Sequence, residues 1–202
     1  MSRQDRAQAT QVALKQAALR VFERQGYLNT KITDITAEAE RAAGSFYNHF
    51  AGKEELLESL MADAFAASDE ALVDHPEQHD MSDPEHVRWH VAGFWGVFAR
   101  YRTLFTAVIQ AAMVDARFAR RLDELMAAEQ GPMRQHLEYL EQRGVRLPGR
   151  PELVVTAMTG LWFQFASQMY GKVADEEAIA LLTTFTLRGL TGRETPIVTP
   201  DE

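Results

Sequence analysis

The segment Ile32–Leu57 constrains the fold more than any other stretch, because its pattern is typical of two short helices, a tight turn and a third helix. We predict the short helices over residues 32–39 and 43–49. Helices of this length are marginal alone, so they must dock on neighbouring helices. Phe46 and Phe50 lie four positions apart on one helical face and are the predicted docking residues. The spacing is that of a helix-turn-helix, which predicts a surface able to enter a DNA groove.

The charge of the chain is unevenly distributed. The 202 residues carry a net charge of −8, which alone argues against a nucleic-acid partner. Residues 1–53, however, hold eight basic and five acidic side chains, a net charge of +3, so the remainder carries −11. A mildly basic segment on an acidic body suits phosphate contact at one end only. We therefore divide the chain into a helix-turn-helix domain, residues 1–53, and a second helical domain, residues 54–202.

Helical periodicity runs through the whole chain and no strand pattern competes with it, so the predicted fold class is all-α with about nine helices. A basic arm containing Arg3 and Arg6 is expected to be disordered ahead of the first helix, and Asn29-Thr30 is expected to cap the second helix. The polar loop Asp74–Pro84 is the predicted domain boundary. Besides the two short helices, we predict helices over residues 9–25, 53–73, 85–100, 103–113, 115–143 (broken at Gly131-Pro132), 152–170 and 175–190.

One segment has nearly the length of a membrane span. Leu153–Gly171 lacks charge over 19 positions but contains five polar side chains, which would be costly in hydrocarbon. We expect a helix buried between protein surfaces and no membrane partner. The N-terminus has no apolar core of a secretory signal, and the absence of cysteine fits a reducing, cytoplasmic location.

No catalytic or cofactor motif is present. The sequence lacks the nucleophile elbow, the phosphate-binding loop, the dinucleotide fingerprint and any cysteine nucleophile, so we expect neither an enzyme nor a cofactor. His86 and His90 are four apart on a predicted helix, a spacing that can bind a metal. No third ligand is evident, so two exposed histidines and no metal are expected.

The residues around the helix-turn-helix resemble those of a known family. Gly26-Tyr27-x-x-Thr30, Ile35, and the run from Gly44 to Leu57 (GSFYNHF, then x-x-K-E-x-L-L) are similar to the TetR/AcrR family of bacterial repressors. The resemblance implies that Thr33 touches phosphate or a base, that residues 43–45 enter the major groove, and that Tyr47, His49 and Lys53 contact the DNA backbone. With Arg41 and Asn48 from the same surface, the candidate DNA-binding residues are Thr33, Arg41, Ala43, Gly44, Ser45, Tyr47, Asn48, His49 and Lys53.

The turn before the third helix departs from the family pattern. Glu40-Arg41 stands where the family usually has Gly-Val. If the turn requires a positive φ, Glu40 destabilises it by about 1–2 kcal/mol. Arg41 replaces an apolar residue and is expected to swing outward, toward phosphate. Ala42 stands where a serine often caps the next helix, which forgoes a bond worth about 1 kcal/mol.

The second domain is rich in aromatic side chains, which form either a filled core or the wall of a ligand pocket. The resemblance implies a pocket for a small molecule whose binding releases DNA. The candidate ligand-binding residues are Trp89, Phe94, Trp95, Phe98, Gln110, Phe118, Trp162 and Phe163. It also implies that the apolar helices over residues 152–170 and 175–190 pair with those of a second copy, although burial within one chain is the alternative.

The function predicted from these features is a ligand-responsive repressor that binds a palindromic operator as a homodimer and is released by a small apolar or aromatic effector. Two alternatives remain open. The first is a regulator without an effector, or an activator. The second is an enzyme or small-molecule carrier with a vestigial DNA-binding segment. Glu40 alone supports the last.

Overall fold

A computed structural model describes residues 2–72 and 80–192 of the chain. Within these residues the structure is helical and contains no strand, which confirms the all-α prediction. The helices are α1 (Arg3–Gln25), α2 (Ile32–Glu38), α3 (Ala43–Tyr47), α4 (Lys53–Leu72), α5 (Pro84–Val114), α6 (Ala116–Glu129), α7 (Gly131–Gln142), α8 (Pro151–Met169) and α9 (Asp175–Thr191). The predicted break at Gly131-Pro132 is confirmed, since α6 and α7 meet there. Most of the loop Asp74–Pro84 lies outside the described residues.

Two details of the first helices were predicted wrongly. The expected disordered arm is the first turn of α1, because Ser2 and Asp5 form a reciprocal capping box at its start. Asn29 and Thr30, expected to cap α2, instead donate back to the carbonyls of Gln25 and Gly26. The N-terminus of α2 is instead stabilised by a residue of its own first turn, since the Lys31 amide donates to Asp34 Oδ2 at 2.9 Å.

Helix α5 contains a backbone break. Tyr101 has φ −111° and ψ 17°, outside the helical region. The sequence predicted two helices here, over residues 85–100 and 103–113, and the break falls between them. The chain divides into two compact units at the same place: the first unit is Met1–Ala71 with Arg100–Met126, and the second unit is Leu72–Ala99 with Ala127–Glu202.

The core of the first unit explains its composition. Phe46 and Phe50 are buried with ring centroids 5.6 Å apart, as predicted. They share one apolar cluster with α1, α4 and the C-terminal half of α5, which contributes Leu104 and Val108. The unit therefore extends beyond the predicted helix-turn-helix domain, residues 1–53; that boundary describes a function and stays a prediction.

The second unit is built around the aromatic part of α5 and the helices α7 to α9. Trp95 and Trp162 are almost fully buried. Trp162 Nε1 donates to Thr186 Oγ1 at 2.8 Å, which joins α8 to α9 within the core. At the N-terminus of α9, Arg88 on α5 donates to both carboxylate oxygens of Glu176 at 2.9 Å.

Candidate functional site

The turn between α2 and α3 closes as a Schellman motif, in which the two amides that follow a helix bond back to its last carbonyls. The Arg41 amide donates to Thr36 O at 2.8 Å, and the Glu40 amide donates to Ala37 O at 3.0 Å. Glu40 has φ 54° and is the one non-glycine residue in the left-handed region among residues 2–72 and 80–192. The turn therefore does require the positive φ at which the family usually has glycine, and the strain of about 1–2 kcal/mol applies to Glu40.

The two residues after Glu40 also lie as predicted. Arg41 is exposed, and its Nη1 donates to the Glu40 carbonyl at 3.1 Å. Ala42 is the N-cap of α3 and gives it no side-chain hydrogen bond. Helix α3 is thus held by its buried face and by the turn geometry rather than by a cap.

The predicted DNA-binding residues come from α2, from α3 and the residues beside it, and from the first position of α4. Thr33, Arg41, Ala43, Gly44, Tyr47 and Asn48 are exposed, and Ser45, His49 and Lys53 are half-buried. Tyr47 exposes 61% of its surface, a large fraction for an aromatic side chain, although its ring lies 5.7 Å from that of the buried Phe46 between centroids. An exposed phenol beside small residues is suited to donate to phosphate while the helix backbone comes close to a groove.

Gly44 has no structural reason to be glycine. A Cβ built at this position meets no atom within 4 Å, and its φ is not in the left-handed region. Glycine in a helix interior is less stable than alanine by roughly 0.5–1 kcal/mol. A site where the fold would accept a side chain but the chain has none is suited to close approach by another molecule.

The Lys53 ammonium is already hydrogen-bonded within the protein, unlike that of a freely exposed lysine. Its ammonium donates to Tyr27 O at 2.9 Å and to Thr30 O at 2.6 Å, and lies 4.1 Å from the centroid of the Tyr27 ring. Partial burial lowers the pKa of Lys53, although the nearby Glu54 and Asp34 carboxylates oppose the shift. An ammonium has three N–H groups, so two carbonyls leave one for a further acceptor.

Acidic side chains position α2 on α1. Glu38 accepts from Arg20 Nε at 2.7 Å and from Arg24 Nη1 at 3.2 Å. The bond from Arg20 has the largest effect, and together the two bonds hold the pKa of the Glu38 carboxyl below its usual value. The hydrogen bond from the Lys31 amide, and then one from Gln25, similarly lower the pKa of Asp34. Both carboxylates thus orient the helix that precedes the turn.

Six of the eight predicted ligand-binding residues belong to the second unit: Trp89, Phe94, Trp95, Phe98, Trp162 and Phe163. Phe94 lies 5.7 Å from Trp162 and Phe98 lies 5.7 Å from Phe163 between ring centroids. Trp95 is 97% buried and packs on Phe165 and Tyr170. Its Nε1 is buried with no hydrogen-bond acceptor in the described part of the chain.

Gln110 and Phe118, the other two, belong to the first unit. Gln110 Oε1 accepts the Tyr27 amide at 2.9 Å, a contact that periodicity could not have indicated. Phe118 forms the buried floor of a groove of about 420 Å³ between α4 and α6, with Met61, Leu122 and Leu125. Glu58, Arg121 and Glu124 form its rim, and Arg121 donates to Glu58.

An apolar surface lies on α8 and α9, within the second unit. Leu153, Leu161, Leu181 and Phe185 expose 55%, 37%, 51% and 62% of their surfaces. The first two lie on one face of α8 and the last two on one face of α9. Leu153, Leu161 and Phe185, together with Gly189 and Pro148, border an open groove of about 440 Å³, and a Cβ at Gly160 or Gly189 would meet no atom within 4 Å. Sequence hydropathy predicted apolar helices here, and the structure shows that part of that surface is uncovered.

The remaining sequence questions concern metals and membranes. The two histidines expected to be exposed are half-buried, because His86 Nδ1 lies 3.2 Å from the Asp80 carbonyl and His90 packs beside His136. In residues 2–72 and 80–192 no group of three or more potential ligands converges on a metal site. Across the same residues, no helix combines the length and apolar character needed to cross a membrane.

The fold and the exposed α3 face define a helix-turn-helix protein. Residues 14–60 match the family described as bacterial regulatory proteins, tetR family. The chain is 26% identical over 126 residues to the HTH-type transcriptional repressor NicS and 29% identical over 122 residues to the HTH-type transcriptional regulator TtgR, both from Pseudomonas putida. These matches cover 62% and 60% of this chain but 58% and 51% of the relatives, so the chain spans about half the length of the curated relatives it matches.

The fold extends beyond the matched segment. The structure superimposes with a TM-score of 0.72 on the transcriptional regulator FadR from Bacillus subtilis, solved in complex with stearoyl-CoA. That comparison covers 91% of this chain and 99% of FadR at 16% identity, so it shows the fold alone. In the matched segment the chain is therefore similar to the TetR family, and the curated relatives that it resembles are transcriptional regulators.

Proposed function

We propose that the protein is a cytoplasmic transcriptional repressor that binds a palindromic operator as a homodimer and is released by a small apolar effector. The observation that carries the DNA-binding part is the α3 surface: Gly44 leaves space that the fold does not need, beside an exposed Tyr47. The turn that sets α3 on α2 keeps its hydrogen bonds despite Glu40. This supports a working DNA-binding domain rather than a vestigial one.

The candidate residues divide into two roles. Small side chains at positions 43–45 allow the α3 backbone to approach base edges in the major groove. Thr33, Arg41, Tyr47, Asn48 and His49 carry donors suited to phosphate, and Lys53 adds its third N–H. Phosphate contacts fix the register, and base contacts provide the discrimination.

A salt-dependent binding assay tests the DNA-binding proposal. We expect the protein to enrich a palindrome from a random duplex library and to bind that site with an affinity that falls steeply as salt rises. Binding to a scrambled duplex of the same composition is the control. Equal affinity for the selected and scrambled duplexes at every salt concentration would refute the proposal.

The proposed effector site is the groove over Phe118. Its floor is apolar, and about 420 Å³ lies within the size range of small-molecule pockets. FadR is described in complex with stearoyl-CoA, a ligand that carries a long apolar acyl chain. The buried Trp95 N–H offers a second place where an effector oxygen would gain a donor.

A neutral apolar dye, N-phenyl-1-naphthylamine, probes the groove. We expect its fluorescence to rise on binding, and Leu122→Trp, which fills the groove, to weaken dye binding at least tenfold. Trp95→Phe is the matched control, because it removes the indole N–H in the other unit. Loss of dye binding in Trp95→Phe but not in Leu122→Trp would place the effector in the aromatic cluster instead.

The dimer proposal rests on the uncovered face of α8 and α9. Monomeric proteins rarely leave several large apolar side chains exposed together. A second copy that covers this face would bring two α3 helices to one DNA duplex, and a two-fold axis would require a palindromic site.

A further inference from the structure

The loop between α1 and α2, residues 26–31, is held by the segment that leads into the proposed effector groove. Tyr27 is buried at its centre, and each of its polar groups is bonded. Its amide donates to Gln110 Oε1 at 2.9 Å, its carbonyl accepts from Lys53, and its hydroxyl donates to Glu54 Oε1. All of these residues belong to the first unit.

Gln110 is the contact from outside the helix-turn-helix. The C-terminal half of α5 carries it, and its side chain also lies 3.5 Å from the place a Cβ would take on Gly26. Because Gly26 has φ 76° and Thr30 bonds back to the Gly26 carbonyl, the loop is a compact turn rather than an open linker. A shift of Gln110 would therefore move the loop as one piece.

The same loop carries both acceptors of Lys53. The Tyr27 and Thr30 carbonyls hold the ammonium at 2.9 and 2.6 Å, and the Tyr27 ring packs against it. An ammonium fixed by two carbonyls has its third N–H in a defined direction, which is the condition for a productive phosphate contact. Lys53 is thus held by the loop, and Gln110 bonds to the amide of Tyr27, the residue whose carbonyl and ring contact Lys53.

We propose that Gln110 is a positioning residue for DNA binding: by accepting the Tyr27 amide it sets the loop and, through the loop, the Lys53 ammonium. This proposal rests on the proposed DNA-binding function. The same contact connects α5, the helix that precedes the proposed effector groove, to Lys53, the proposed phosphate ligand. Asp115, five residues further along, caps α6 through the Arg117 and Phe118 amides, so Gln110 and the groove residue Phe118 lie on two consecutive helices.

The test uses two substitutions of similar size. Gln110→Met removes the acceptor, and Gln110→Glu keeps an oxygen at the same distance from the backbone. We expect Gln110→Met to bind the selected operator about 3- to 10-fold more weakly, as the loss of one hydrogen bond predicts. Its salt slope should fall by about 1, because one phosphate contact is lost. Gln110→Glu should retain the wild-type slope.

Amide hydrogen exchange provides a readout that needs no DNA. Gln110→Met should speed exchange of the Tyr27 amide by about 2- to 10-fold, and Gln110→Glu should not. Circular dichroism confirms folding, and if Gln110→Met fails to fold, Gln110→Leu, which also lacks the acceptor, takes its place. A wild-type salt slope in the acceptor-free variant, or equal losses in both variants, would overturn the proposal. Failure of the wild-type protein to prefer any DNA sequence would instead refute the proposed function, while amide exchange would still report on Gln110.

Discussion

Glu40 is the residue at which this chain departs most clearly from the family pattern that it resembles, and the structure separates two consequences of it. The backbone is strained, because Glu40 occupies the left-handed region at φ 54°. In addition, its exposed carboxylate lies one residue from Arg41 and close to the proposed phosphate surface. Gly144 ends α7 with the same motif at φ 86°, which glycine adopts without strain. The Gly144 amide donates to the Glu141 carbonyl, and the Val145 amide donates to the Leu140 carbonyl.

Two substitutions at position 40 separate strain from charge. Glu40→Gly should raise the free energy of unfolding by about 1 kcal/mol, because glycine adopts positive φ without the Cβ clash. Glu40→Ala removes the carboxylate but keeps the clash, so it should leave stability nearly unchanged. Urea unfolding measures both. A stabilisation of the same size in Glu40→Ala would show that charge repulsion, not backbone strain, is what glycine relieves.

Glu38 gives a prediction about pH. Its pKa lies below the ordinary 4.5 because Arg20, and then Arg24, donate to it in the folded state. A carboxyl with a depressed folded pKa stabilises the protein above its unfolded pKa, and that contribution is lost as pH falls from about 4.5 through the folded value. Glu38→Gln should therefore lower the thermal midpoint at pH 7 and bring it close to wild type at pH 3. Glu23→Gln, on an exposed α1 position, serves as the control, and a constant difference across pH would contradict the ion-pair explanation.

At the scale of the element, α3 combines weak local stability with a surface suited to DNA. It has five residues, no side-chain cap and a glycine at its second position. Each feature weakens an isolated helix. Burial of Phe46 and the Schellman turn compensate from outside the helix, so the exposed face is left unconstrained by packing.

Gly44→Ala tests whether that face is shaped for a partner. The added methyl group meets no atom of the protein, so stability should rise by up to about 0.5–1 kcal/mol. Operator affinity should fall about tenfold or more, because the methyl would stand between α3 and the base edges. Urea unfolding and a gel-shift titration measure the two effects. An unchanged operator affinity would show that the α3 backbone does not approach DNA at this position.

The same element shows what sequence can and cannot predict. The helix-turn-helix and the docking phenylalanines follow from spacing over a few residues, whereas the positive φ at Glu40 was raised only as a condition, from the glycine that the resembled family usually has there. The helical start at Arg3 was missed because the Ser2–Asp5 capping box lies ahead of the apolar periodicity. Gln110 and Lys53 depend on contacts 83 and 26 residues away along the chain, and no local pattern predicts which polar group will face which backbone atom.

At the scale of the whole molecule, aromatic composition predicted the ligand-binding residues only as one set. The structure assigns six of them to the second unit and Gln110 and Phe118 to the first, because the break at Tyr101 divides α5 between the units. Periodicity detects which residues are apolar but not which core they join. The same limit applies to α8 and α9: their sequences are apolar enough for burial, but only the structure shows which face is uncovered.

That uncovered face leads to the prediction for assembly. Phe185→Glu places a charge at the most exposed apolar residue of the α8–α9 face, since Phe185 exposes 62% of its surface. Burying an unpaired carboxylate in an apolar interface is strongly unfavourable, so the variant should be monomeric at concentrations where wild type is dimeric. Sedimentation equilibrium measures the mass, and operator affinity should fall with it because a single α3 contacts only half of a palindrome.

Met113→Glu is the matched control for this change. Met113 exposes 79% of its surface on α5, in the first unit and away from α8 and α9 in sequence. The same charge introduced there should leave both the mass and the operator affinity at wild-type values. If Phe185→Glu remains a dimer with full operator affinity, the α8–α9 face is not the interface. If both variants dissociate, the assembly responds to net charge rather than to a specific apolar contact, since each substitution adds one negative charge to a chain already at −8.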